Sequence, residues 1–320
     1  MDDTPDLIKQ PLIILAPGRC YSTALCAMLA QHPQFYGLME TQLFARETLN
    51  AWFEDFGANV HSHGLLRTVA QMLFGEQSPK SIKQARNWLL KRVERDTTSI
   101  FLELTSTVYP LIPIDNSPMV SYELKHMERA LESFPEAHFL HLTRHPVAYG
   151  NSLLKLFRAS TTFRQANQSA ALLRNPESIY YGLIEENSDS PTLDPQHAWF
   201  LRHSTISSFT SMLPPSQHLR IRIEDLLTEP STTLRTIATG MGVRVDPLSI
   251  DKMLHPERWP FACMGPWNAR LGGDPEFLRN PELPYGSAEE QTLEGTVPWR
   301  DDGMEFRENV KRLAMEFGYA

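Results

Sequence analysis

Apolar and polar residues follow each other along the chain in a pattern that predicts strands alternating with helices. Short apolar runs with the length of buried strands lie at 12–15, 35–39, 100–104, 137–142 and 219–223. Apolar residues recur at the spacing of a helix at 23–31, through much of 42–95, and at 147–158, 195–213 and 231–240. Because this alternation is typical of parallel sheets, the pattern predicts an α/β fold with a parallel sheet flanked by helices.

The same pattern separates the chain into a regular body and an irregular late segment. Without a repeat or an obvious linker, we expect a single domain over 1–320, with helical insertions at about 42–95 and 161–213. The segment 255–300 holds seven prolines, five glycines and three of the six tryptophans, with little periodicity. Ordered loops of this length often cover a functional site, which is the role we predict here. A last helix is expected at about 304–317.

Composition narrows the classes of function. A net charge of −8 and a pI of about 5.8 argue against general binding to nucleic acid or acidic membranes. Three cysteines, Cys20, Cys26 and Cys263, suggest neither a disulfide framework nor a metal site. The acidic start lacks the apolar region of a signal peptide, and no run approaches 18 apolar residues. We therefore expect a cytoplasmic protein without a membrane span.

The most informative stretch follows the first predicted strand. After the break at 17–18 come Arg19, Cys20, Tyr21, Ser22 and Thr23, which lead into the first predicted helix. Such a loop presents unpaired N–H groups and the positive end of the helix dipole to an anion. Arg19 adds a planar cation, and Ser22 and Thr23 add hydroxyl donors. The stretch indicates a phosphate-binding loop, although an ordinary turn with Ser22 as N-cap fits the same pattern.

A second stretch repeats this arrangement. Arg144 follows the strand predicted at 137–142, and Ser152 stands two helical turns further on. Two strand ends that carry anion-binding residues indicate one ligand with phosphate groups at both ends. Taken alone, Arg144 could equally be an ion-pair partner beside a helix.

Together these stretches resemble the motifs of the sulfotransferase family, whose donor is 3′-phosphoadenosine 5′-phosphosulfate (PAPS). In that family a loop of the type R/K-S-G-T/S-T binds the 5′-phosphosulfate, and a later R-D-P…S motif binds the 3′-phosphate. The similar residues here are Arg19, Cys20, Tyr21, Ser22 and Thr23 in the loop, and Arg144 and Ser152 in the later motif. The run 221–226 is similar to the family's R-Y-E-D-L segment. The resemblance implies a nucleotide-kinase-like fold and a metal-free transfer that yields adenosine 3′,5′-bisphosphate.

The chain departs from the family motifs at four positions, one of which is Ile223 in the run 221–226, where the family has tyrosine. Cys20 and Tyr21 replace the usual Ser-Gly, and a tyrosine at this place limits the access of the loop to positive φ angles. His145 stands where aspartate is common. The arginine and the hydroxyls of both motifs are nevertheless retained.

The resemblance also implies a catalytic base. Glu40 closes the apolar run 35–39, at the distance from the loop arginine where related enzymes carry a glutamate, and could take the proton of a hydroxyl acceptor. As an alternative, Glu40 only begins a helix. His255 is the second candidate base. Near the C-terminal end, Arg270 and Gly272 resemble the family's basic, glycine-containing segment that closes over the donor.

The sequence leaves the acceptor and two other classes of function open. The resemblance favours a hydroxylated small molecule or a lipid-like natural product, and the oligomeric state is not indicated. One alternative is a kinase-like phosphotransferase, with Glu103 or the pair Glu224 and Asp225 as magnesium ligands. The other is a nucleotide-binding module without catalysis.

Overall fold

The computed structural model describes residues 9–159, 172–185, 192–286 and 291–320. These residues form a parallel sheet of five strands in the order β2-β3-β1-β4-β7. The strands are β1 Leu12–Leu15, β2 Phe35–Gly37, β3 Ile112–Asp115, β4 His138–Thr143 and β7 His218–Arg222. A small antiparallel pair joins β5 Ile184–Glu185 to β6 Thr192–Leu193. The predicted α/β fold with a parallel sheet is confirmed.

Helices connect and cover these strands. Their bounds are α1 Ser22–Leu29, α2 Leu49–Phe56, α3 Ser62–Phe74, α4 Pro79–Leu90, α5 Thr97–Ser106, α6 Leu124–Ser133, α7 Pro146–Ala159, α8 Pro195–Thr210, α9 Ile223–Thr228, α10 Pro230–Gly240, α11 Pro247–Met253, α12 Pro275–Arg279 and α13 Glu308–Glu316. Within this described part, no helix has the length and apolar character to cross a bilayer.

One expectation on secondary structure was wrong, and one strand was not predicted. The run 100–104 lies inside α5, which begins after Asp96 because that side chain accepts a hydrogen bond from the Ser99 backbone N–H. The strand beside β1 is instead β3, whose short apolar run is interrupted by Pro113. Part of the predicted insertion 161–213 lies outside the described residues, namely 160–171 and 186–191.

The central strand β1 shows why the sheet is covered on both faces. Leu12 and Ile14 belong to one buried cluster, whereas Ile13 and Leu15 belong to another. Successive side chains of a strand point to opposite faces, so each face of the sheet carries its own core. This explains why the strand is apolar at every position.

The order of the strands determines where a ligand can bind. After β1 the chain continues towards β3 and β2, whereas after β4 it continues towards β7. In open parallel sheets, ligands bind outside the carboxyl ends of the strands, at the point where successive connections leave towards opposite edges of the sheet. That position lies between β1 and β4, and the two predicted anion-binding stretches follow these strands directly.

Candidate active site

The loop between β1 and α1 has a left-handed backbone at two residues that are not glycine. Arg19 has a φ of 76° and Tyr21 a φ of 62°, and Tyr21 is the residue immediately before α1. A left-handed backbone costs a residue with a Cβ roughly 1–2 kcal/mol. Tyr21 therefore adopts a left-handed conformation that glycine reaches more easily than a residue with a Cβ.

The side chain of Arg19 is almost fully buried and uses all three guanidinium nitrogens. Its Nε donates to Ser152 Oγ at 3.0 Å, Nη1 lies 3.0 Å from Asp274, and Nη2 lies 2.7 Å from Glu276. Burial opposes the positive charge, but the two carboxylates outweigh it and hold the pKa of Arg19 above its ordinary value. The loop thus meets α7 and the start of α12 at this guanidinium.

Arg144 joins the second predicted stretch to the first. Its Nη1 donates to the backbone carbonyl oxygen of Arg19 at 2.6 Å, and its guanidinium lies over the ring of Tyr21, 4.9 Å from the centroid. The backbone carbonyl of Arg144 accepts a hydrogen bond from the indole of Trp199. These contacts bring the ends of β1 and β4 together, as the two motifs predicted.

A first cavity of about 470 Å³, here called the donor-side cavity, opens between these groups. Arg19, Arg144, Ser152 and Lys155 provide cations and a hydroxyl on its wall. Lys155, one turn after Ser152 on α7, pairs with Glu276 at 2.8 Å. The wall of the cavity therefore carries hydrogen-bond donors of the kind that bind phosphate groups. Residues at the start of α12 form another part of the wall.

Glu40 lies in the loop that follows β2, beside the first turn of α1. Its Oε1 accepts from Thr23 Oγ1 at 3.4 Å, and its backbone N–H donates to the Gly272 carbonyl. Burial raises the pKa of Glu40 to about 8, and the negative charge of Asp274 adds to this increase. The carboxyl group is therefore poised to exchange a proton near neutral pH, as a general base requires.

This shift has a consequence for stability. The pKa of Glu40 in the folded state lies above the ordinary 4.5, so its stabilising contribution is present below that value and is lost as the pH rises through about 8. We expect the thermal unfolding midpoint of the wild type to fall relative to that of Glu40→Gln between about pH 4.5 and about pH 8, and to stay level above that. Parallel midpoint curves for the two proteins would contradict the shifted pKa.

Glycines let the late segment approach Glu40 closely. A Cβ at Gly64, on α3, would lie 2.0 Å from the carbonyl oxygen of Glu40. A Cβ at Gly272 would lie 2.7 Å from Gly64, and Gly272 has a φ of 115°. Asp274 continues the contact, since its backbone N–H donates to Thr23 Oγ1 at 3.0 Å. The segment predicted as a cover therefore packs on the loop and on Glu40.

A second cavity of about 610 Å³, here called the acceptor-side cavity, lies on the Glu40 side of the loop. Apolar side chains form much of its wall, namely Phe56, Val60, Met119, Leu156, Leu172 and Ile179. Arg19, Tyr21 and Asp274 border both cavities. The site thus consists of one cavity that is lined by both cations and carboxylates, and of a largely apolar cavity that meets it at Arg19.

Several predicted residues are not brought to this junction. The side chain of Arg270 is exposed and borders neither cavity, although its neighbour Gly272 borders the acceptor-side cavity. His255 pairs with Glu257 and also lies outside both. Cys20 is fully buried, and burial raises the pKa of its thiol to about 12. Only the backbone of Cys20 could face a phosphate.

The carboxylates considered as magnesium ligands are engaged elsewhere. Glu103 lies on α5 and pairs with Arg92 and Arg95. Glu224 accepts hydrogen bonds from the backbone N–H of His145 and from the hydroxyl of Tyr319. Its neighbour Asp225 pairs with Arg222. These contacts give the three carboxylates structural roles.

One further group of potential metal ligands lies beside the acceptor-side cavity. Glu123, His126 and Glu177 bring their ligand atoms within 4.8 Å of one another. Arg46 already pairs with Glu177 and Lys125 with Glu123. Since each carboxylate has its own cation, we do not interpret the cluster as a metal site.

Three residues of the junction were not predicted from the sequence, namely Lys155, Asp274 and Glu276. Asp274 and Glu276 belong to an acidic pair around a proline, which on its own indicates only the start of a helix. Lys155 stands three residues after Ser152, on the same face of α7. That spacing was the one available signal for an additional donor-side cation.

A family profile matches most of the chain. The profile described as "Sulfotransferase family" matches residues 11–247. Comparison with curated proteins gave no significant sequence match.

Solved structures share the fold. The sulfotransferase domain from the curacin biosynthetic pathway superposes with a TM-score of 0.73 at 20% identity, over 97% of this chain and 98% of its own. The sulfotransferase domain of the olefin synthase from Synechococcus PCC 7002 gives 0.69 at 22% identity, over 100% and 98%. At these identities the likeness concerns the fold.

Proposed function

Because this chain belongs to the sulfotransferase family, we propose that it transfers a sulfuryl group from PAPS to a hydroxyl of an acceptor with a largely apolar body. The observation that carries this proposal is the meeting of the two cavities at Arg19. One cavity offers cations and a hydroxyl for phosphates, and the other offers apolar walls and Glu40. A sulfuryl group at the junction would face both substrates at once.

On the donor side, the residues have distinct roles. The N-terminus of α1 binds the 5′-phosphate through the backbone of Cys20 and Tyr21, together with Ser22 and Thr23, which border the acceptor-side cavity next to the junction. Arg144 and Ser152 bind the 3′-phosphate, and Lys155 adds a further cation at the same wall. Recognition of the 3′-phosphate distinguishes PAPS from ATP.

In the transfer, the acceptor oxygen forms a bond to sulfur while the bond from sulfur to the bridging oxygen of the donor breaks. The electron pair of the broken bond remains on the 5′-phosphate, where the guanidinium of Arg19 neutralises the developing charge. Glu40 takes the proton of the acceptor hydroxyl. The products are a sulfate ester and adenosine 3′,5′-bisphosphate, and catalysis rests on positioning and charge neutralisation.

Calorimetry tests the donor side of this proposal. Adenosine 3′,5′-bisphosphate should bind with one site per chain, and ATP with Mg²⁺ should bind much more weakly. Labelled PAPS with a panel of apolar alcohols should give labelled sulfate esters. Tighter binding of ATP with Mg²⁺ than of the bisphosphate would overturn the proposal.

Glu276 should weaken donor binding in the wild type. Its carboxylate pairs with both Arg19 and Lys155, so phosphates that enter the donor-side cavity must compete with it. We expect Glu276→Gln to strengthen the binding of adenosine 3′,5′-bisphosphate by about two- to fivefold in calorimetry, the range that partly exposed ion pairs provide. The exposed Glu294→Gln serves as the control for a general change in charge. A weaker affinity in Glu276→Gln would mean that this carboxylate orients Arg19 for the donor.

A further inference from the structure

Gln42 has a strained backbone close to the proposed base. Its φ of 57° and ψ of 16° place it in the left-handed region, immediately before the short 3₁₀ helix Leu43–Ala45. Glutamine gains nothing from this conformation, whereas glycine or asparagine would adopt it more easily. Strain of this kind persists where the surroundings enforce it, and it is concentrated at functional sites.

Buried hydrogen bonds enforce the conformation of Gln42. Its backbone N–H donates to Ser117 Oγ at 2.8 Å, and Ser117 Oγ donates to Asp115 Oδ1 at 2.9 Å. Thr41 Oγ1 donates to the same oxygen of Asp115 at 2.9 Å. Asp115 ends β3, so the sheet itself fixes the backbone that runs from Glu40 to Gln42.

The side chain of Gln42, in contrast, has no partner for its carbonyl oxygen. The residue is 1% exposed, and its Oε1 is buried without a hydrogen bond among the described residues. Gln42 borders the acceptor-side cavity together with Glu40 and Arg19. Buried polar groups are nearly always hydrogen-bonded, so an unpaired oxygen beside a cavity requires an explanation.

We propose that the Gln42 carboxamide binds a second hydroxyl of the acceptor, besides the one that reacts. This inference rests on the proposed function and specifies its acceptor. A carboxamide offers both a donor and an acceptor, and a hydroxyl group matches both. The apolar walls of the cavity accommodate the remaining body, so the acceptor class is an apolar diol.

A matched pair of acceptors tests the proposal. We would measure kcat/KM for decane-1,2-diol and decan-1-ol with labelled PAPS. The wild type should prefer the diol by about tenfold, the ratio that one additional hydrogen bond gives, against a factor of about two from the number of hydroxyls alone.

Two variants separate recognition from backbone strain. Gln42→Met keeps the volume of the side chain and the strain, whereas Gln42→Gly removes the side chain and relieves the strain. Both should reduce the preference for the diol to about twofold or less, although their thermal stabilities should differ. Gln217→Met is the control, because Gln217 lies at the opposite end of the sheet, where it donates to the Pro135 carbonyl. This variant should retain the wild-type ratio of kcat/KM for the two acceptors.

The outcomes distinguish this inference from the function on which it rests. A wild type that sulfates neither alcohol and binds no adenosine 3′,5′-bisphosphate contradicts the proposed function. A wild type that binds the bisphosphate but shows no preference for the diol overturns the role of Gln42. An undiminished preference in both Gln42 variants overturns it as well.

Discussion

Arg19→Ala is expected to lower turnover by about 10²–10³-fold, the loss that follows removal of one preorganised donor to a developing negative charge. Arg19 is a cation that borders both cavities, and its three guanidinium nitrogens are already oriented by Ser152, Asp274 and Glu276. The measurement is kcat with saturating PAPS. In Arg19→Ala, Arg144 and Lys155 can still bind the phosphates of the donor. The affinity for adenosine 3′,5′-bisphosphate should therefore fall far less than kcat.

Two further variants make this prediction specific. Arg19→Lys retains the charge but not the planar fork, and it should recover only part of the lost rate. Arg244→Ala removes an exposed arginine outside both cavities and should leave kcat at the wild-type value. If Arg19→Ala had nearly the turnover of the wild type, Arg19 would have no role in the transfer reaction.

Glu40→Gln is expected to lower kcat/KM by about 10²–10⁴-fold, the usual contribution of a general base. The wild-type kcat/KM should rise with pH and level off above about 8, because only the ionised carboxylate accepts the proton and burial raises its pKa to that value. In Glu40→Gln this rise should be absent. Calorimetry should still detect donor binding, since Glu40 does not border the donor-side cavity.

Neighbouring carboxylates provide the controls. Asp274→Asn removes a negative charge that raises the pKa of Glu40, so the pH at which activity levels off should move down. Glu47→Gln changes an exposed carboxylate paired with Arg129 and should retain the wild-type profile. A pH profile that is the same in the wild type and in Glu40→Gln would assign the base to another group.

The parts of the fold and site that the sequence predicted depend on local signals. The strand, loop and helix around Arg19 follow from an apolar run, a Pro-Gly break and two hydroxyl residues. Arg144 and Ser152 follow in the same way from the end of β4. Because parallel strands bring their carboxyl ends to one edge, these local patterns were sufficient to predict that the two motifs meet.

The remaining features arise from contacts between distant segments. Nothing near Asp274 or Glu276 indicates that their carboxylates reach Arg19, which is separated from them by most of the chain. The error at 100–104 has a local cause, since a short apolar run fits a strand and a buried helix equally well. Gln42 was not predicted because its strain and its unpaired carbonyl oxygen exist only once β3 has fixed its backbone.

The close approach of Gly64 to Glu40 means that a position without a side chain can control the chemistry. Even one methyl group at Gly64 must displace either the main chain of Glu40 or the helix α3, which carries the methyl group. Glu40 would then be shifted relative to the loop between β1 and α1. A scan of single substitutions should accordingly find a second hot spot on α3, where the damage appears as a slow enzyme that is still folded.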